Sequence, residues 1–183
     1  MLRRTETDRI MWFSMWFLGS IATFGLAFFP MFYYLIERRN KHFARQRELE
    51  ELIMTYLKSK GEEPQLATET LPTRNARLWT TSIILIFPAF LIAYFLSKDL
   101  SLHEKRQQAL FESWFPDRKF HLYGMNVKLY VGITIATLGF GIVYWLYKIF
   151  NSYNNHFKEQ WKIEEMITRL MGGKSYGEIS GQA

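Results

Sequence analysis

The chain has 183 residues, a formal charge of +6, a mean hydropathy of -0.11 and no cysteine. That excludes disulfides, iron–sulfur clusters, thiolate zinc sites and a thiol nucleophile. The basic excess is interleaved with glutamate beside apolar blocks, a setting that meets anionic lipid headgroups, and no nucleic-acid-binding motif accompanies it.

Residues 1–10, with Arg3, Arg4 and Arg9, form a polar N-terminal lead. Residues 11–58 read as a first span plus stalk. Met11 to Ile36 carries no Asp, Glu, Lys, Arg or His, and about 20 such residues cross a hydrocarbon core of ~30 Å. Trp12 and Trp16 suit one bilayer interface and Tyr33 and Tyr34 the other. A cleaved signal peptide is the competing reading of Leu2 to Ile36, but the run is too long and too aromatic for one, so it is expected to remain. Pro30 predicts a kink or a break. From Glu37 to Leu57 no Gly or Pro interrupts, and Leu49, Leu52, Ile53, Tyr56 and Leu57 mark one helical face. Residues 59–77 are a linker broken by Gly61, Pro64 and Pro72.

Residues 78–115 repeat the plan as a second span and a shorter stalk: Leu78–Leu96 between Arg77 and Lys98, then Leu100, His103, Gln107, Leu110, Phe111 and Trp114 on one face. Residues 116–128 form a turn, with Asn126 as a helix start. Residues 129–171 are the third span and stalk, with Lys128 and Lys148 bracketing Leu129–Tyr147, and 172–183 a flexible tail.

A shift of 114 positions lays Ile21–Lys60 on Ile135–Lys174 without a gap, matching Thr23/Thr137, Gly25/Gly139, Tyr33/Tyr147, Asn40/Asn154, His42/His156, Phe43/Phe157, Gln46/Gln160 and Glu50/Glu164 among others. Such self-similarity marks one structural unit used more than once. In the middle of the chain Tyr94, His103 and Gln107 keep the same spacing. The fold expected is an all-α membrane protein of three transmembrane helices, each continuing into an amphipathic stalk, with an internal repeat. It would be a multi-pass protein of the cell membrane, its second stalk across the bilayer from the other two. Lys and Arg number 13 on the side of the first and third stalks and nine on the other, which favours those two stalks as cytoplasmic.

The stretches TLGFGIVYWLYKIFNSYNNHF and TFGLAFFPMFYYLIERRNKHF resemble a family of small archaeal and bacterial helical membrane proteins known as a domain of unknown function, whose spans carry Thr-Leu-Gly followed by Tyr-Trp-x-Tyr. The resemblance implies a fold and a membrane location, and no activity.

On a wheel of about 100° per residue, His42 and Gln46 point the way Leu49 and Ile53 point. The same holds for His103 and Gln107, and for His156 and Gln160. Helix–helix packing is therefore expected through His42, Gln46, Leu49, Ile53, Leu57, His103, Gln107, His156, Gln160, Ile163, Ile167 and Met171. A sharper reading joins His42 and His156 with Glu50 and Glu164 as metal ligands. Against it, the expected topology keeps His103 on the far side, so three histidines cannot converge. No metal or other cofactor is expected. Lipid-interface contacts are assigned to Trp12, Trp16, Tyr33, Tyr34, Arg38, Arg39 and Lys41.

With no ionisable residue inside the spans and no Ser/His/Asp or phosphate-loop constellation, the chain reads as a non-catalytic accessory or scaffold subunit. Its partners would be membrane lipids and proteins, or copies of itself, along the stalks, and not nucleic acid. The alternative is a small oligomeric channel or transporter component.

Overall fold

The computed structural model describes residues 4–61, 71–114 and 121–170, which are helices and their connections. In chain order these are α1 (Arg4–Thr7), α2 (Phe13–Ala22), α3 (Phe28–Ser59), α4 (Ala76–Ser82) continued by a 3-10 turn (Ile83–Leu85), α5 (Phe87–Trp114), α6 (Val127–Ala136) and α7 (Gly141–Leu170). The tail, Met171, residues 62–70 of the linker and residues 115–120 lie outside the described residues.

The three transmembrane helices expected at Met11–Ile36, Leu78–Leu96 and Leu129–Tyr147 do not form. Each block is folded back on itself, and no helix among the described residues is long and apolar enough to cross a membrane. The cause is local. In Thr23-Phe24-Gly25 and Thr137-Leu138-Gly139 the last two residues have positive φ, 50° and 92° in the first turn, 51° and 98° in the second, and a left-handed pair ends an α-helix. Each threonine hydroxyl closes its turn. Thr23 Oγ1 donates to the Gly19 carbonyl at 2.7 Å and accepts from the Ala27 N–H at 3.0 Å; Thr137 Oγ1 donates to Ile133 at 2.8 Å and accepts from Gly141 at 2.7 Å. The repeat is thus visible atom for atom at the two turns. The middle hairpin turns differently, at Ile86 with φ 63° after the 3-10 turn. Pro30 and Pro88 kink nothing. They sit in the first turns of α3 and α5, where a missing N–H leaves no intrahelical bond unmade.

Three hairpins result, each a short apolar helix packed against the start of a long one. The long helices α3, α5 and α7 run parallel, so the second stalk stands beside the other two and not across a bilayer from them. Their core residues alternate at spacings of four and three, the heptad rhythm of a coiled coil. Successive layers are Leu35, Leu96, Ile149; Arg39, Leu100, Tyr153; His42, His103, His156; Gln46, Gln107, Gln160; and Leu49, Leu110, Ile163, all buried. Two apolar clusters result: one runs from Met31 and Trp145 to Phe157, the other joins Leu49, Ile53 and Leu57 to Leu110, Phe111, Ile163 and Ile167. Between them lies polar matter.

The segment leading into each hairpin wedges between two long helices. Met11 exchanges hydrogen bonds with the Asn154 side chain. Arg74 bonds Asn40 and Asp99, and Tyr123 and Met125 donate backbone N–H groups to Glu104 and Ser101. Asn75 and Asn126 then cap α4 and α6, each accepting from an N–H three residues on.

Candidate functional site

Two consecutive core layers of the bundle are polar on all three helices. In the first, the His42 ring lies 5.4 Å from that of His103 and 5.1 Å from that of His156, with 5.3 Å between the latter two. The Nε2 atoms of His42 and His156 are 3.1 Å apart. Each of these rings presents its other nitrogen to a carboxylate: His42 Nδ1 to Asp8 Oδ1 at 2.8 Å, His156 Nδ1 to Glu104 Oε1 at 3.0 Å. His103 stacks on Phe43 at 4.3 Å between centroids, and its buried Nε2 has no hydrogen-bond partner among the described residues.

The carboxylates are themselves held. Asp8, brought over the bundle by α1, accepts from Thr7 Oγ1 at 3.0 Å, from Trp161 Nε1 at 2.6 Å and from Arg45 Nη2. Glu104 accepts from the Tyr123 N–H at 2.9 Å. Arg45 also reaches Glu164 at 2.9 Å, which takes Arg4 at 2.7 Å and the Gln46 amide at 2.8 Å. In the second layer Gln46 Oε1 accepts from Gln107 at 3.0 Å and Gln160 at 2.8 Å. An unpaired buried polar group costs about 1–3 kcal/mol, so a core built this way specifies one register of the three helices.

Burial decides the charge of the His42 and His103 rings. It pushes the His42 pKa down to about 4 despite the opposing pull of Asp8, and it holds His103 well below the ordinary histidine value, with the neighbouring His156 and His42 adding to it. The Asp8 carboxyl is lowered: burial would raise it, and its contacts with His42 and Arg45 prevail. Neutral rings with free lone pairs, oriented by carboxylates, are what metal ligation requires. One nitrogen of each of His42, His103 and His156 lies within 4.8 Å of the other two, the set that could hold an ion.

This corrects the sequence reading in several places. The histidines do converge, because the stalks share a side. Glu50 and Glu164 are not their companions: Glu50 pairs with Arg106, and Glu164 with Arg45 and Arg4. Arg38 and Arg39, assigned to a lipid interface, are 2% and 1% exposed. Arg38 bonds Asn154 at 2.9 Å and lies over the rings of Phe150 and Tyr153, while Arg39 pairs with Asp99 at 2.9 Å. Tyr33, Tyr34, Trp16 and Lys41 are partly buried and Trp12 is exposed. The packing residues Leu49, Ile53, Leu57, Ile163 and Ile167 meet in one cluster, and Gln46, Gln107 and Gln160 meet in one layer.

Sequence reasoning missed Asp8, Arg45 and Glu104. Asp8 lies in a lead that has no periodicity to read. Glu104 had a signal, since it directly follows the histidine that shares the spacing of the other two.

No protein-family model matches the chain, and neither does any curated protein or solved structure.

Proposed function

We propose that this chain is a monotopic membrane protein, three helical hairpins seated in one leaflet, whose bundle stands outside the lipid as a non-catalytic scaffold or accessory subunit. The observation that carries this is the end of the molecule at which the hairpins turn. Phe24 is 99% exposed, Leu138 92% and Phe140 81%, with Ile84, Leu85, Ile86 and Phe87 exposed beside them. A contiguous apolar patch of that kind marks an interaction or membrane surface.

Its depth fits half a bilayer. From Phe24 to Glu37, from Ile86 to Lys98 and from Leu138 to Lys148 are 13, 12 and 10 residues. At 1.5 Å per residue that is about 15–20 Å, against about 15 Å for half of the ~30 Å hydrocarbon core. The short arms are also about 15 Å long. Where both arms reach that depth, cations and aromatic rings meet: Arg9 over Tyr34 at 4.1 Å, Lys98 over Tyr94 at 6.0 Å, Lys148 over Tyr144 at 5.8 Å. These are interfacial residues. The threonine-closed turns suit a medium without water, because their N–H groups at Ala27 and Gly141 are already bonded. The sidedness count of Lys and Arg loses its basis, since the three stalks stand together. A channel would need a second set of hairpins from the opposite leaflet.

The chain lacks cysteine, so single labels test this directly. With protein in vesicles of mixed anionic and zwitterionic lipid, Phe24→Cys, Ile86→Cys and Leu138→Cys should resist an impermeant maleimide from both sides, and Glu51→Cys, Lys105→Cys and Lys162→Cys should all react from one side. Opposite sidedness at Glu51 and Lys105 would restore a multi-pass protein. Full reactivity at the three tips would remove the membrane altogether. Extraction in mild detergent followed by mass measurement tests the scaffold role: a co-purifying protein supports it and a clean monomer speaks against it, while a discrete homo-oligomer favours the channel.

A further inference from the structure

The pair of histidines at the centre of the bundle sets two lone pairs against each other when both rings are neutral and no ion is bound. Both Nδ1 atoms face carboxylate oxygens, at 2.8 Å and 3.0 Å. With both carboxylates ionised, and therefore only accepting, each ring carries its proton on Nδ1. Both Nε2 atoms then bear bare lone pairs, and these face each other at 3.1 Å. Two lone pairs at that distance repel unless a cation stands between them. A third imidazole arrives beside them from α5 with a buried Nε2 that bonds to nothing among the described residues, its side chain 6% exposed.

We propose that His42, His103 and His156 ligate one divalent transition-metal ion of the zinc class, through Nε2 of the first and third and the ring nitrogen that His103 turns into the cluster. Zinc–nitrogen bonds of 2.0–2.1 Å put tetrahedral ligand nitrogens about 3.3 Å apart. The His42–His156 pair is already at that spacing, and His103, with all three nitrogens inside 4.8 Å, closes the set with a small shift of its ring. The imidazole-only donor set suits zinc, copper, nickel or iron and not magnesium or calcium.

The surroundings are built as an outer shell. Asp8 and Glu104 fix the tautomers of two ligands, as carboxylates do behind metal-bound histidines, and Asp8 is clamped in turn by Arg45 and Trp161. Glu104 is 3% exposed, and its ion-pair partner among the described residues is His156 alone, so a cation at the three rings balances a buried carboxylate. In the glutamine layer below, Gln46 Oε1 is taken up by the other two amides and is not offered to an ion. One position is left for water, and a small cleft lined by Glu104, Gln107, His156 and Gln160 opens beside it. The proposal stands whether or not the hairpins enter lipid.

The test uses the full chain without an affinity tag, stripped with a chelator and titrated with Co2+ and then Zn2+. One equivalent of Co2+ should bind, with the intense visible absorption of a four-coordinate site. Zn2+ should displace it, and the melting temperature should rise with metal concentration. His103→Gln, close in size and able to hydrogen-bond, should weaken binding about 100-fold or more. Asp8→Asn should weaken it about 10- to 100-fold. His121→Ala, at the one other histidine, exposed on the rim of that cleft, should leave the one-equivalent stoichiometry unchanged. Failure of folded wild-type protein to take up an equivalent of metal overturns the proposal, whatever the variants do. Uptake that survives His103→Gln undiminished overturns it as well.

Discussion

Follow the three long helices from the hairpin tips to their far ends and the relation between inside and outside reverses. Near the tips α3, α5 and α7 are apolar within and apolar without, with Met31, Ile92 and Trp145 buried and Phe87, Phe140 and Val143 exposed. From the Arg39 layer onward the exterior is charged, at Glu48, Glu51, Lys105 and Lys162, and the interior becomes histidine, glutamine and ion pairs before turning apolar again at Leu49. Apolar contacts alone would let parallel helices slide by a heptad, whereas directional bonds in two adjacent layers admit one register. A few polar core residues can fix register at a cost in stability. The tip half is therefore held by burial and by whatever covers it, and the far half by bonds that must all be made together.

The largest effect should come from breaking the polar half. Arg45→Met leaves Asp8 without its cation and takes one of two from Glu164. Removing one partner of a buried pair costs about 3–5 kcal/mol, read as a lower denaturant midpoint and a weaker hold of α1, visible as faster proteolysis at the N-terminus.

Acid should act on the same half. His42 is pushed down to about 4 in the fold from 6.5, so between those values the unfolded chain binds the proton and the folded chain does not. Stability in metal-free protein is then fully present above pH 6.5 and falls as pH drops toward 4. The loss is about 3 kcal/mol from this ring, with His103 adding in the same direction. An unfolding series over pH 4–8 checks this. A flat profile through the window would show that the rings are charged or solvated in the native state.

Smaller effects belong to the tips. Thr137→Val removes the acceptor of the buried Gly141 N–H and should cost about 1–2 kcal/mol in detergent-solubilised protein. The same change at Thr23 should cost less, because its two bonds are exposed. Leu138→Ser, at a side chain 92% exposed, should change the unfolding free energy by less than about 0.5 kcal/mol while weakening vesicle flotation. Equal effects of Leu138→Ser on folding and on lipid binding would erase the distinction between the two halves.

The stalks were readable because Leu49, Ile53 and Leu57 repeat at helical spacing and because His42 and Gln46 recur at the same interval in each unit. What misled was the assumption that a long uncharged run is one helix. Thr, Leu and Gly are all common in transmembrane helices, and nothing in Thr137-Leu138-Gly139 taken as composition shows a left-handed turn. Periodicity could not help there, since both arms of a hairpin are apolar on every face. Reading each run as one helix places His103 on the wrong side and hides the three-histidine cluster, although the spacing of the three histidines is plain in the sequence. Arg38 and Arg39 were misplaced for a related reason: next to Lys41 and Glu37 they look like a solvated run, and only the three-dimensional neighbours Asn154 and Asp99 make burial tolerable.

On the proposed membrane seating, the uncharged hairpins bear on how the chain would reach lipid. Between Arg9 and Glu37, Arg77 and Lys98, and Lys128 and Lys148 there is no charged residue and no histidine. A true multi-pass protein must drag ionised loops through hydrocarbon and relies on machinery to do so. Here no ionised group has to make that journey, and a chain already folded outside could sink its three points into the near leaflet unaided.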